Sequence, residues 1–355
     1  MTLSSNRGYI ADRDFIRTKE GFFWVVVGYT HPIDRVIAYL KYIPSDFGKW
    51  KNEMTSFERV LPYYSATTVG NTFKFLRQKH PEYLFFDPVN QIEMSSVPLN
   101  KIETYFVPEE KLQSLLEDNS LDSLQKKAVN LIKLLSQRSD IPLASFGIIG
   151  SILLNIHNPT FSDIDVTVYG AENARKVKDT LLELTKSGMT SFSKMSKEFL
   201  KKWCESRSHV LPLDAKELEQ IFFRRWNIGT FNQTRYSIHP IRTKSEILER
   251  YGDSRYTPLG FVKIKARIID NSEAIFLPCK YRLADLEIIE GPNDDSIDIE
   301  ELVSYEGLYC DLVEKDEKII AFGKLEKIEH KGHEAFRVLI GSIDANSKDY
   351  MIPFI

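Results

Sequence analysis

The sequence predicts a multidomain protein of mixed α/β and α+β class: an α+β amino-terminal domain, a central domain with a mixed sheet, and a small carboxy-terminal β-barrel. Three observations predict it. A length of 355 residues exceeds what one hydrophobic core usually organises. Strand-like runs alternate with helical periodicities up to about Tyr251, and beyond Gly252 short strand-like runs follow one another. Hydrophobic residues make up 43% and charged residues 27%, the range of an ordinary globular protein.

Residues 1–108 open with the run GFFWVVVGY, Gly21 to Tyr29, rich in β-branched and aromatic residues and stopped at Thr30-His31-Pro32. It reads as a buried strand, far too short to cross a bilayer. RVIAYLKYIP is a second strand, Asn71 to Lys79 a helical stretch, and KIETYFVP a further strand. The aromatics here alternate with aliphatics, the pattern of core packing rather than of a base-stacking platform.

Residues 109–251 start after Pro108 with one amphipathic helix, in which Leu121, Leu124, Ala128, Leu131, Ile132 and Leu135 recur at helical spacing. LASFGIIGS and DIDVTVYG are strands, the second closed by Gly170. AENARKVKDTLLELTKSG then places Val177, Leu181, Leu182 and Leu184 near one helical face and ends at Gly188. Phe192 to Phe231 is mixed and locally basic, and RYSIHPIR at 235–242 is another strand. In residues 252–355, FVKIKARIID, AIFLPCKYRL, EGLYCDLVE, KIIAFGKLEKI and FRVLIGS lie at the short intervals of an antiparallel barrel or sandwich.

A net charge of −3 supplies no global pull toward nucleic acid, so any polyanion site is a local patch. Cys204, Cys279 and Cys310 lie far apart with no CxxC pair, which argues against a zinc site and a disulfide framework. With a polar amino terminus, MTLSSNRGYIADRD, the expected setting is the cytoplasm, without a membrane partner.

The chemistry-bearing residues lie at the strand ends of the central domain. Gly150-Ser151 is followed after eleven residues by Asp163-Ile164-Asp165-Val166. Alternation along a strand turns Asp163 and Asp165 to one face while Ile164 and Val166 pack behind. Paired carboxylates suit magnesium, which takes one or two of them plus substrate phosphates. A glycine lets the backbone approach a phosphate, and a serine hydroxyl can bond to it. The plainer alternative is a surface strand carrying two exposed acids.

The segment GIIGSILLNIHNPTFSDIDVTVY resembles the nucleotidyltransferase signature of the DNA polymerase β superfamily. The whole chain is also similar to uncharacterised archaeal proteins described as predicted nucleotidyltransferases. The motif-bearing part spans residues 120 to 245. The resemblance implies a central nucleotidyltransferase fold in which Asp163 and Asp165 are catalytic and hold magnesium or manganese. It further implies that Gly150 and Ser151 bind the phosphates of a nucleoside triphosphate. The reaction implied moves a nucleoside monophosphate to a hydroxyl of RNA, protein or a small molecule.

One departure stands out. Members of this superfamily usually carry a third carboxylate on a later strand, and here that place holds Ser237, with His239 two residues on and on the same face. Three explanations are open: Glu246 or Asp270 folds back, two carboxylates and a histidine suffice, or the domain binds nucleotide or RNA without turnover. His239 is either a base or a structural residue. Arg224 and Arg242 are the candidates for nucleotide phosphate, with Arg225 and Arg235 beside them; the alternative pairs these arginines with Glu217, Glu219 and Glu246 on a solvated face.

Overall fold

The computed structural model describes residues 7–63, 65–187, 191–292 and 296–354. Residues 1–6 of the polar amino-terminal stretch and Gly188, the expected helix end, lie outside the described residues. The architecture is mixed α and β, built on three sheets.

The first sheet has eight strands. β1 (Phe15–Thr18), β2 (Phe23–Val26) and β3 (Arg35–Pro44) precede the short pair β4 (Trp50–Lys51) and β5 (Ser56–Arg59). Helices α1 (Ala66–Val69) and α2 (Phe73–Lys79) lead to β6 (Leu84–Asp87), β7 (Ile92–Pro98) and β8 (Ile102–Phe106). The order is β4-β5-β3-β2-β1-β8, with β7 joining β3 and carrying β6. The run GFFWVVVGY forms β2, buried on both faces. Alternation divides it between two cores: Trp24 and Val26 pack with Leu40, Leu76 and Tyr83, while Phe23 and Val25 pack with Tyr42, Phe57, Ile149, Leu153 and Ile156. The second set crosses into the central part of the chain.

That central part begins with two helices where the periodicity suggested one: α3 (Pro108–Glu117) and α4 (Ser123–Ser139). The break arises because Asp122 caps α4, accepting from Leu124 N and Gln125 N while Gln125 returns a bond to the Asp122 backbone. There follow β9 (Phe146–Ile149), α5 (Gly150–Leu153), β10 (Ile164–Tyr169), α6 (Ala171–Lys186), β11 (Phe192–Ser193), α7 (Lys197–Ser208), α8 (Ala215–Arg224), β12 (Ile228–Phe231) and β13 (Thr234–Ile241). The five strands run in the order β11-β12-β13-β10-β9. The sheet is mixed, since β10 and β13 are parallel while β10 and β9 are antiparallel. Leu131 and Leu135 of α4 and Val177, Leu181 and Leu184 of α6 bury against Ile164, Val166 and Val168 of β10, each worth about 1.5–3 kcal/mol of removed apolar surface.

The third sheet comprises β14 (Ser254–Asp270), β15 (Cys279–Glu290), β16 (Ile299–Ser304), β17 (Lys318–His330), β18 (His333–Ile340) and β19 (Tyr350–Phe354). The order β14-β15-β16-β18-β17 returns to β14 through a long β14–β17 pairing, which makes the sheet barrel-like, and β19 extends β17. EGLYCDLVE is not a strand but a buried loop. Its backbone is satisfied in part by a side chain, Tyr281 Oη, which donates to Tyr309 O at 2.7 Å and accepts from Leu312 N at 2.9 Å, and in part by backbone bonds such as Asp311 N to Ala274 O at 2.8 Å. Its apolar residues Tyr309, Leu312 and Val313 therefore fill the barrel core without pairing. Helices α7 and α8 also pack on the barrel, through Leu200, Cys204, Leu218, Ile221 and Phe222. Among the described residues no helix is long and apolar enough to cross a membrane.

The amino terminus of α6 is stabilised from a distance. Gly170 (φ +96°) has no side chain with which to cap it. Glu246 replaces the cap, its Oε1 accepting from Ala171 N at 2.8 Å and its Oε2 from Thr243 N at 2.7 Å. Glu246→Ala is expected to lower unfolding stability by about 1 kcal/mol, the usual worth of a cap, measured by urea denaturation. A change several times larger would show that Glu246 has another role.

Candidate functional site

The β9–α5 turn brings the glycine-serine pair onto the second aspartate. Gly150 adopts φ +69°, and a Cβ there would intrude on Asp165 Oδ2; the position requires glycine both for its backbone and for its contact. Ser151 follows, buried. Ile149 lies opposite Asp165 in the antiparallel β9–β10 pairing, so the turn ends directly over that carboxylate. Asp163 sits one residue before β10 and remains 38% exposed.

The two carboxylates share one electrostatic environment. Burial and then the Asp165 charge push Asp163 up to about 6, against the opposing pull of Arg235 and Arg59. Arg235 Nη2 reaches Asp163 Oδ1 at 2.7 Å. For Asp165 burial opposes ionisation, but His239, Lys41, the Ser237 hydrogen bond and Arg59 together hold it below the ordinary carboxylate range. The pair is thus split, Asp165 shifted down and Asp163 up to about 6.

Ser237 stands opposite Asp165 in the parallel β10–β13 register and donates to Asp165 Oδ1 at 2.5 Å. Its oxygen also lies 2.8 Å from His239 Nε2. Burial first, and Arg13 next, hold His239 down to about 3 against the opposing charge of Asp165. Ser237 has a single proton and gives it to Asp165, so His239 Nε2–H donates to Ser237. His239 thereby orients the serine that orients the aspartate.

Neither alternative acid returns to this place. Glu246 caps α6, and Asp270, at the end of β14, accepts from Ser272 N at 2.7 Å. Of the two arginines expected at phosphate, Arg224 is held by Glu317 at 2.7 and 3.0 Å, and Arg242 by Glu273 while lying 4.3 Å over the Phe276 ring. Both are ion-paired to acids of the carboxy-terminal region rather than to Glu217, Glu219 or Glu246.

The cations that surround the aspartates come instead from the first sheet. Between Phe23↔Tyr42 and Trp24↔Leu40 the β2–β3 register slips by one, so Lys41 is the extra residue of a β-bulge, a device that re-aims a side chain. Burial brings Lys41 down to about 8 against the counteracting charge of Asp165. Arg59, paired with Tyr42 across β3–β5, stacks 4.6 Å over Trp50 and acts on both aspartates. The sequence signal was a lysine in the interior of a strand, RVIAYLKYIP, that is apolar or aromatic after its opening arginine.

A separate group, Glu20, His80 and Glu82, has ligand atoms within 4.8 Å of one another. The Lys101 ammonium already bridges its two glutamates at 3.1 and 2.9 Å. A cavity of about 420 Å³ lies between the three sheets, with Val26 and Ala38 from the first, His239 from the second and Arg337 from the third in its wall. Neither aspartate lines it, but His239 and Arg13 do, and both are coupled electrostatically to Asp165.

Fold and site together define a mixed α+β protein with a carboxylate pair, set on a central mixed sheet and ringed by cations from two sheets. The chain is 30% identical over 342 residues to the uncharacterized protein MJ1086 of Methanocaldococcus jannaschii, covering 96% of this chain and 97% of that protein. It belongs to the same family as that protein. No family model matches the chain, and no solved structure matches it.

Two outcomes are expected. Gly150→Ala forces an L-residue into the left-handed region, at about 1–2 kcal/mol, and pushes its methyl onto Asp165; thermal unfolding should register the loss. Affinity for a divalent cation at the pair should fall about tenfold per pH unit below pH 6, because protonated Asp163 carries no charge. Calorimetric titration with manganese between pH 5 and 8 checks this, and Asp163→Asn should flatten the profile.

Proposed function

We propose that Gly150, Ser151, Asp163 and Asp165 form the nucleotide site of a nucleotidyltransferase of the DNA polymerase β superfamily. Its reaction moves a nucleoside monophosphate from a nucleoside triphosphate to an acceptor hydroxyl of RNA, protein or a small molecule, with pyrophosphate leaving. The observation that carries the reading is the seating of Gly150 against Asp165, which puts a strand–glycine–serine turn beside paired carboxylates on a mixed sheet.

The carboxylates fit a magnesium or manganese ion. Asp165 raises the pKa of Asp163, a repulsion that a divalent cation relieves, and Asp163 is exposed enough to receive one. Such an ion, when bound, supplies neutralisation of phosphate charge and acidifies an attacking hydroxyl. The chain's own residues do the rest. Gly150 lets the β9–α5 backbone turn against Asp165 with no side chain between them, and the phosphate would meet this turn and the Ser151 hydroxyl. Lys41, Arg59 and Arg235 offset the charge of the triphosphate, and Ser237, held by His239, fixes the Asp165 carboxylate.

A second reading, nucleotide binding without turnover, is favoured by one observation: Ser237 occupies the register position opposite Asp165 where a third carboxylate is expected. Incubation with each α-labelled nucleoside triphosphate, magnesium or manganese, and a mixture of cellular RNA and protein separates the two. Labelled acceptor is expected with the unmutated chain and only background with Asp163→Asn or Asp165→Asn. Metal-dependent nucleotide binding without any transfer would establish the second reading instead.

A further inference from the structure

The cavity between the three sheets carries an electrostatic asymmetry. Most of its charged groups are matched: Asp12 to Arg13 at 3.3 Å, Glu326 to Arg337 at 2.7 Å, Lys324 to Asp344 at 2.8 Å, and Asp311 to Lys178 at 2.9 Å. Two guanidiniums in its wall are not. Among the described residues neither Arg207, in the last turn of α7, nor Arg225, just past α8, has a carboxylate within ion-pair distance. Glu306 also lines the cavity, and its charge acts on Arg207 against the effect of burial.

Arg207 is held by rings, lying 3.8 Å over Tyr63 and 5.8 Å from Trp203. The Tyr63 hydroxyl is buried and has no hydrogen-bond partner among the described residues. Burial, reinforced by the neighbouring charge of Arg207, brings Arg225 down to about 10. Two like charges and an unmatched hydroxyl in one desolvated space are unfavourable unless an anion joins them. Arginine forks match the planar or tetrahedral oxygens of carboxylate and phosphate. The remaining wall includes Trp226, Ile275 and Leu277, and about 420 Å³ suits a small molecule.

We propose that this cavity binds a small organic anion, its phosphate or carboxylate head on Arg207, Arg225 and Tyr63 Oη and its body against Trp226 and Leu277. The site is separate from Asp163 and Asp165 and does not depend on their transferring nucleotides. His239 lines it and is bonded through Ser237 to Asp165, so one hydrogen-bonded chain runs from the cavity wall to the carboxylate pair.

Calorimetric titration of the full chain with phenyl phosphate, benzoate and benzyl alcohol tests this. At least one of the two anions is expected to bind at one per chain, and benzyl alcohol not to bind. Arg225→Met should weaken that binding at least about tenfold, the loss of a charge-assisted hydrogen bond, while raising the thermal midpoint of the ligand-free protein by removing an unmatched charge. Arg207→Gln should weaken it too, and Asp163→Asn should leave it unchanged. The proposal is overturned if neither anion binds, if the alcohol binds as well as the anions, if both arginine variants keep full affinity, or if Asp163→Asn abolishes it.

Discussion

The contact on which the site depends is apolar. Phe23 and Val25 of β2, with Tyr42 and Phe57, pack against Ile149, Leu153 and Ile156 around the glycine-serine turn. This packing presses the face of the first sheet onto the end of β9, and the bulge at Lys41 and the cross-strand place of Arg59 then bring two cations to Asp165. Without it the aspartates would retain only Arg235 and the Ser237–His239 chain from their own sheet. A hydrophobic interface thus sets the electrostatics of a polar centre.

The charge distribution follows from that geometry. The chain is weakly acidic as a whole, yet the environment of Asp165 is strongly cationic, and the whole-chain value carries no trace of this. Opposed effects separate the two acids: surrounding cations keep Asp165 ionised, while the Asp165 charge and burial raise Asp163. Environments that push two like groups apart are a recurring feature of sites that bind cations or move protons.

The α7–α8 hairpin links the barrel to the cavity. Its apolar side, Leu200, Leu218, Ile221 and Phe222, is buried on the barrel, and this fixes its ends so that Arg207 and Arg225 face inward. Adjacent arginines are split by the helix end: Arg224 turns to Glu317 on the barrel, and Arg225 lines the cavity. Their equivalence in sequence gives no hint of the division.

By itself the sequence determined what is local. The buried strand at Gly21–Tyr29, the helix face of Val177, Leu181 and Leu184, and the glycine-serine and Asp-x-Asp segments at adjoining strand ends were all legible, because periodicity and short spacing encode them. It misread EGLYCDLVE, where a buried tyrosine hydroxyl substitutes for a partner strand, and one helix where Asp122 imposes a second start. Only the tertiary structure decided which charges meet: Lys41 and Arg59 lie more than a hundred residues before Asp165, and Arg207 and Arg225 lie on either side of a hairpin. Coulombic contacts are made through space, and sequence separation carries no information about them until hydrophobic packing has folded the sheets together.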